Sequence, residues 1–193
     1  MKRYGIFPSI FWATLLVIAC SEPGVEPLSE YESSEVAKRS MDFQVYPGST
    51  FLEDHTEAYR RSHSIVNPQS RRIPPMAVYE SADSVEEVAQ FYARIYGYDR
   101  VHPNTVNDFS PYPPHAYLIR GELGEATRTI LPIIEQLGYE SDITGVSGPF
   151  VGAQIDGIDL FPRVSLQRPW YDFITGEVRD STMILMVQEL PEP

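Results

Sequence analysis

Apolar and polar positions along this chain form one strongly periodic segment, a second interrupted one, several short alternating runs, and an N-terminal region with no useful period. Over residues 83–97, Val85, Val88, Ala89, Tyr92, Ile95 and Tyr96 recur at helical spacing, with Glu86, Gln90 and Arg94 opposite them. Such a stripe predicts a surface helix lying on a core. Asp83 or Ser84 can cap its start, and Ser84 with Glu87 fits a capping box, in which two side chains answer two free backbone N–H groups. Gly97 suits a left-handed C-terminal cap. A second pattern runs from about 122 to 137, with Ala126, Ile130, Ile133, Ile134 and Leu137 on one side. Pro132 falls inside it, where a continuous helix loses a backbone bond and clashes one turn back, at ~3 kcal/mol. A kink is expected there, or a helix restarting with Thr129 as its cap. Gly138 ends the pattern, and Gly138-Tyr139 echoes Gly97-Tyr98.

The remaining pattern is β-like. Phe43 to Tyr46 opens the folded part, and Pro47-Gly48 is a turn signal. Thr50 to Leu52, Met76 to Tyr79, His115 to Ile119 and Phe150 to Ile155 read as strands. Arg163, Ser165 and Gln167 alternate with Val164 and Leu166, as a strand with one wet face does. Trp170 to Ile174 continues after Pro169, which suggests an edge or a bulge. Thr175-Gly176-Glu177 makes a turn, and the uniformly apolar Met183 to Val187 belongs at the centre of a sheet. Residues 55–75 are Arg-rich and broken by prolines, a long connection with part of a helix in it. Residues 98–114 are loop-like. Short turns between successive strands favour antiparallel pairing. The expectation is an α+β fold, an antiparallel sheet with two helices packed on one face. Strand, helix and Gly-Tyr occur twice, a faint repeat consistent with a split βαβ layout.

The aperiodic N-terminus changes the picture. Lys2 and Arg3 precede an apolar run over Ile10 to Ile18, and Ala19 precedes Cys20. A basic flank, a short greasy segment and a small residue describe a secretory signal peptide, and the run is too short to cross ~30 Å of hydrocarbon. Val17-Ile18-Ala19-Cys20 resembles a bacterial lipobox, with Val17 where Leu is usual. The resemblance implies cleavage before Cys20, diacylglycerol on its thiol and acylation of the new amino end. Ser21 stands where enteric lipoproteins kept in the inner membrane carry Asp, so the resemblance favours the outer membrane, with the domain facing the periplasm or the cell surface. Cys20 is the only cysteine, so no intramolecular disulfide forms. Residues 21–42 are rich in Glu, Ser and Pro and poor in large apolar side chains. They bury too little to offset their ordering entropy and read as an extended, self-repelling tether. The organisation is thus a signal peptide over 1–19, lipidated Cys20 and tether over 20–42, and one domain over 43–193.

Charge narrows the partners. The 193 residues carry a formal charge of −12, and the leader holds two of the cations and no acid, so the remainder is more acidic still. That surface repels phosphate backbones and anionic headgroups, which disfavours nucleic acid. Attachment to the bilayer would rest on the acyl chains, since one chain alone is marginal and several suffice.

Candidate chemistry is sparse. His55, His63, His102 and His115 show no H-E-x-x-H spacing, and a single cysteine gives no zinc framework, so no metal or cofactor is expected. Gly145-Val146-Ser147-Gly148 comes near a nucleophile elbow and reads as a turn. Asp156-Gly157-Ile158-Asp159 sets two carboxylates on a glycine turn without the ligand ladder of a calcium loop. The most suggestive surface is aromatic: Arg168, Trp170 and Tyr171 with Phe173, and separately Phe109, Tyr112 and Tyr117 among prolines. Aromatics beside Arg stack on a sugar or anchor a peptide, or else pack in a core with a polar rim. Tyr46-Pro47-Gly48, Asp83-Ser84, Val88, Phe91-Tyr92 and the late apolar strand make the domain similar to a family of small uncharacterised bacterial envelope proteins, which brings no activity with it. The expectation is a non-catalytic envelope module whose partner is another envelope protein or a glycan. The alternative is an envelope enzyme on glycan or cell-wall substrates through Asp156 and Asp159, which needs those carboxylates within about 10 Å.

Overall fold

The computed structural model describes residues 44–68, 73–103, 115–140, 142–157 and 161–188. Nine strands are β1 (Thr50–Phe51), β2 (Met76–Ser81), β3 (Val101–His102), β4 (Ala116–Glu122), β5 (Pro149–Ile155), β6 (Arg163–Arg168), β7 (Trp170–Asp172), β8 (Glu177–Arg179) and β9 (Thr182–Val187). Three helices accompany them: α1 (Glu53–Val66), α2 (Val85–Ile95) and α3 (Leu123–Gln136). Seven strands form one sheet in the order β1-β2-β9-β6-β5-β4-β3, while β7 and β8 form a separate hairpin. Every neighbouring pair is antiparallel except β3 with β4. As its unbroken apolarity predicted, β9 lies inside the sheet, between β2 and β6. β6 is internal too, whereas β7, beyond Pro169, pairs only with β8 among the described residues and so is an edge. Pro169 follows the last residue of β6, and the chain leaves there for the β7–β8 hairpin.

The fold is the expected α+β architecture, an antiparallel sheet with two helices packed on one face, with a third helix on the other. Side chains alternate across each strand. Ala116, Ala153, Ile155, Val164, Leu166, Ile184 and Met186 point to one face, where α2 contributes Val85, Val88, Ala89, Tyr92, Ala93 and Tyr96. Met76, Val78, Ile119, Phe150, Met183 and Leu185 point to the other, where they meet Ala58 and Tyr59 of α1, Leu123 and Ile134 of α3, and Trp170, Tyr171 and Phe173. The two helices read from the sequence therefore lie on opposite faces. The split βαβ layout holds for one helix only: α2 joins β2 to β3, which run parallel with four strands between them, whereas β4 pairs directly and antiparallel with β5 across α3.

Ends and interruptions follow local chemistry. Ser84 and Glu87 complete the capping box of α2, and Gly97 and Gly138 both take positive φ, at 76° and 86°. Beyond each glycine the Tyr98 and Tyr139 amides donate back to Ala93 and Ile134, closing the two helices in the same way. α3 runs unbroken through Pro132. Thr129 is no cap: its hydroxyl donates to the Glu125 carbonyl one turn back. α1 is the largest departure from the expected connection over 55–75. Its buried residues are His55, Thr56, Ala58, Tyr59, Arg60 and Ser62, so no apolar stripe announces it. It is held through polar groups at the edge of β2, where the Val78 amide donates to Thr56 Oγ1 at 2.9 Å and the Leu52 amide donates to the Val78 carbonyl at 2.9 Å.

Candidate functional site

Strand register gathers a patch of polar side chains that the sequence scatters. On β4, β5 and β6, the face opposite α2 carries Tyr117, Gln154 and Ser165 in one row, since Tyr117 pairs with Gln154 and Gln154 with Ser165. His102 on β3 stands in register with Tyr117 at the end of that row. The next row holds His115, Asp156 and Arg163, because the Asp156 amide donates to the His115 carbonyl and Ile155 pairs with Val164. The same strands turn Ala116, Ala153, Ile155, Val164 and Leu166 to α2. Gln154 is buried at 6 % exposure, and the others are half-buried.

Asp156 is the hub. Gln154 Nε2 donates to its Oδ1 at 2.9 Å, the His115 amide donates to Oδ2 at 3.3 Å, and His115 Nδ1 lies 3.6 Å from Oδ2. The Tyr98 hydroxyl donates to the Asp156 carbonyl at 2.7 Å. Three rings line one side of this floor: His115 lies 5.1 Å from Tyr117 and 6.0 Å from His102, centroid to centroid. Burial, reinforced by Asp156 and opposed by Arg163, pushes the Tyr117 hydroxyl up to about 12. It therefore stays protonated, a donor as well as an acceptor, at any ordinary pH.

The residues singled out as an aromatic binding surface lie at another corner. Trp170 and Tyr171 are packed in the core at 2 % and 5 % exposure, so neither ring is presented for stacking. Arg168 is half-buried: its Nε donates to Asp180 at 2.9 Å, and one terminal nitrogen donates to the carbonyls of Ala82 and Asp83. Beside them His55 Nε2 lies 2.9 Å from Asp172 Oδ1, and Arg179 Nε donates to Asp172 Oδ2 at 2.8 Å. Asp172 is fully buried and also accepts from the Ile174 and Thr175 amides. Burial pushes its carboxyl up, but the His55 and backbone hydrogen bonds outweigh this and hold it below the ordinary carboxylate value. Arg179 reaches on to Glu80, Ser181 donates to Glu80, and the Trp170 indole donates to Ser181 at 3.0 Å. The chain of contacts bolts the β7–β8 hairpin to α1 and β2.

His63 lies on α1 rather than in a loop, and burial lowers its pKa. Ser147 is exposed in the turn before β5, where the Gly148 carbonyl accepts from the Leu123 amide at 2.8 Å. Cys20, Phe109, Tyr112 and Asp159 lie outside the described residues. No set of three His, Cys, Asp or Glu residues suited to a metal occurs among the described residues, and no helix among them is long and apolar enough to cross a membrane. His102, His115, Tyr117 and Asp156 each drew notice in the sequence, but their convergence rests on strand pairing that spans loops. Ser165 and Arg163 were legible only as a polar face, and Gln154 only as part of a strand.

Comparison with protein-family profiles, with curated proteins and with solved structures gives no match to this chain.

Proposed function

We propose that the protein is an envelope lipoprotein, anchored through acylated Cys20, that presents a non-catalytic binding module. The observation that carries this reading is the ordered run Lys2-Arg3, apolar Ile10 to Ile18, and Val17-Ile18-Ala19-Cys20, which places the only cysteine of the chain where a lipobox needs it. The Glu-, Ser- and Pro-rich residues 21–42 suit a spacer between bilayer and domain. One feature of the domain supports binding over catalysis: the His55–Asp172 pair is consumed in joining a hairpin to a helix. The outer membrane is the favoured site of attachment, with the module facing the periplasm or the cell surface.

Labelled palmitate fed to bacterial cells producing the full chain tests this. Label should travel with the wild-type protein and be absent from Cys20→Ser. An unlabelled wild-type protein, or one that keeps residues 1–19, overturns the reading.

A further inference from the structure

We infer that the polar floor of β4, β5 and β6 is a binding site for a neutral saccharide. This deepens the reading of the domain as a binding module and rests on it, though not on the lipid anchor. Three adjacent strands inside one sheet set Ala116, Leu118, Val151, Ala153, Ile155, Val164 and Leu166 on the α2 side and, on the other side, gather Tyr117, Gln154, Ser165, His115, Asp156 and Arg163. A sheet with one wet face shows such alternation, but Gln154 is buried at 6 % exposure, and a buried polar group needs a partner. Polar residues set against the local packing rule mark function.

The kinds of group then select the ligand. Asp156 only accepts and Arg163 only donates, while Gln154, Ser165, Tyr117 and the histidines can do both. That mixture matches hydroxyl groups, each of which donates and accepts. The Asp156 carboxylate at the hub of the floor repels a phosphate or carboxylate. The rings of Tyr117, His115 and His102 supply the apolar counterpart, a wall for the C–H face of a sugar ring. A few convergent polar groups beside an aromatic surface are what a small polar ligand requires. The aromatic surface expected from the sequence thus moves from Trp170 to the His–Tyr row.

Saturation-transfer NMR on the full-length protein, held in a polyoxyethylene detergent that contains no sugar, is the test. The probes are the tetrasaccharides of β-1,4-linked N-acetylglucosamine, β-1,4-linked glucose and α-1,4-linked glucose, with inorganic phosphate as the anionic control. At least one tetrasaccharide should bind with a Kd of about 1 mM or tighter. Gln154→Leu and Ser165→Ala should each weaken it by about tenfold or more, with far-ultraviolet circular dichroism and melting temperature confirming that both variants are folded. The inference is overturned if no tetrasaccharide gives transfer, if phosphate binds at the floor in their place, or if saccharide binding survives both substitutions in folded protein. Failure here leaves the palmitate result standing, and failure of the labelling leaves this result standing.

Discussion

The two faces of the central sheet solve different problems with the same strands. Toward α2, Val164, Leu166, Ile184 and Met186 are at most 1 % exposed and meet a helix whose buried residues are apolar or aromatic. Its two buried tyrosines have partners for their hydroxyls, Tyr92 accepting from the Tyr46 amide at 3.1 Å and Tyr96 donating to the Pro162 carbonyl. Toward α1 and α3, the buried set includes His55, Thr56, Thr127, Gln154, Gln167 and Asp172. One face draws most of its stability from non-directional burial, which tolerates small shifts, with Ser81 and Thr182 bonded to the Asp83 backbone as its polar exceptions. The other relies on directed polar contacts, which fix position and fail abruptly when one partner is removed.

The largest effect that separates the faces is expected at Asp172. Asp172→Ala leaves His55, Arg179 and two amides without their shared acceptor. Losing one member of a buried ion pair costs about 3–5 kcal/mol, so urea unfolding of this variant should show a loss of that order. A loss under about 1 kcal/mol would mean that the hairpin is held by its aromatic contacts instead. The same residue sets a pH dependence. Its carboxyl titrates lower in the folded protein than its ordinary 3.8, so its contribution is full above that value and fades as pH falls through the lower folded value. Unfolding free energy measured from about pH 6 to about pH 3 should fall less steeply in Asp172→Ala than in wild type. The exposed Asp142 and Asp180, whose values are also lowered by hydrogen bonds, remain in both proteins.

On the opposite face, Leu166→Ala removes a fully buried side chain from between β6 and α2 and should cost ~3 kcal/mol. Here the loss should be insensitive to pH, since no titrating group lies in the cavity it would create. Equal pH slopes for Leu166→Ala and wild type would set the burial-driven face apart from the hydrogen-bonded one.

What the sequence revealed divides along the same line. α2 was legible from cap to cap because its partner is an apolar face, and a 3.6-residue stripe is the direct imprint of such a partner. β9 was legible for the same reason, being buried on both sides. α1 left no such imprint. His55 and Thr56 bury polar atoms against Asp172 and the β2 edge, contacts 117 and 22 residues away, and nothing local signals them. The polar floor is similar: Tyr117 and Ser165 sit in one row only because both flank Gln154. The opposite faces taken by α2 and α3 also depend on topology, since both helices carry an apolar stripe and the stripe does not say which face it meets. Trp170 misled for a related reason, because an aromatic next to Arg reads alike in a core and at a surface.

A smaller effect tests the helix that was read best. The Ser84 hydroxyl accepts from the Glu87 amide while the Glu87 carboxylate accepts from the Ser84 amide at 3.0 Å. Ser84→Ala should cost ~1 kcal/mol by loss of the cap. The effect should appear in hydrogen exchange as faster opening of the first turn of α2, with the turn at Ile95 unchanged. Uniform acceleration along α2 would show that the cap sets the whole helix and not its end alone.

The smallest expected change is at Gln154, and its smallness is the point. Gln154→Leu removes one donor to Asp156, a hydrogen bond worth ~1 kcal/mol net. It also replaces a polar side chain at 6 % exposure with an apolar one of similar size, and that burial contributes on the order of 1 kcal/mol in the other direction. The two terms nearly cancel, so the urea midpoint should stay within about 1 kcal/mol of wild type. A polar residue at the centre of a sheet that can be exchanged for leucine at almost no cost in stability is not there to hold the fold. A loss near that of Leu166→Ala would instead make Gln154 a structural link like Asp172, and the polar floor would join the hydrogen-bonded framework of that face.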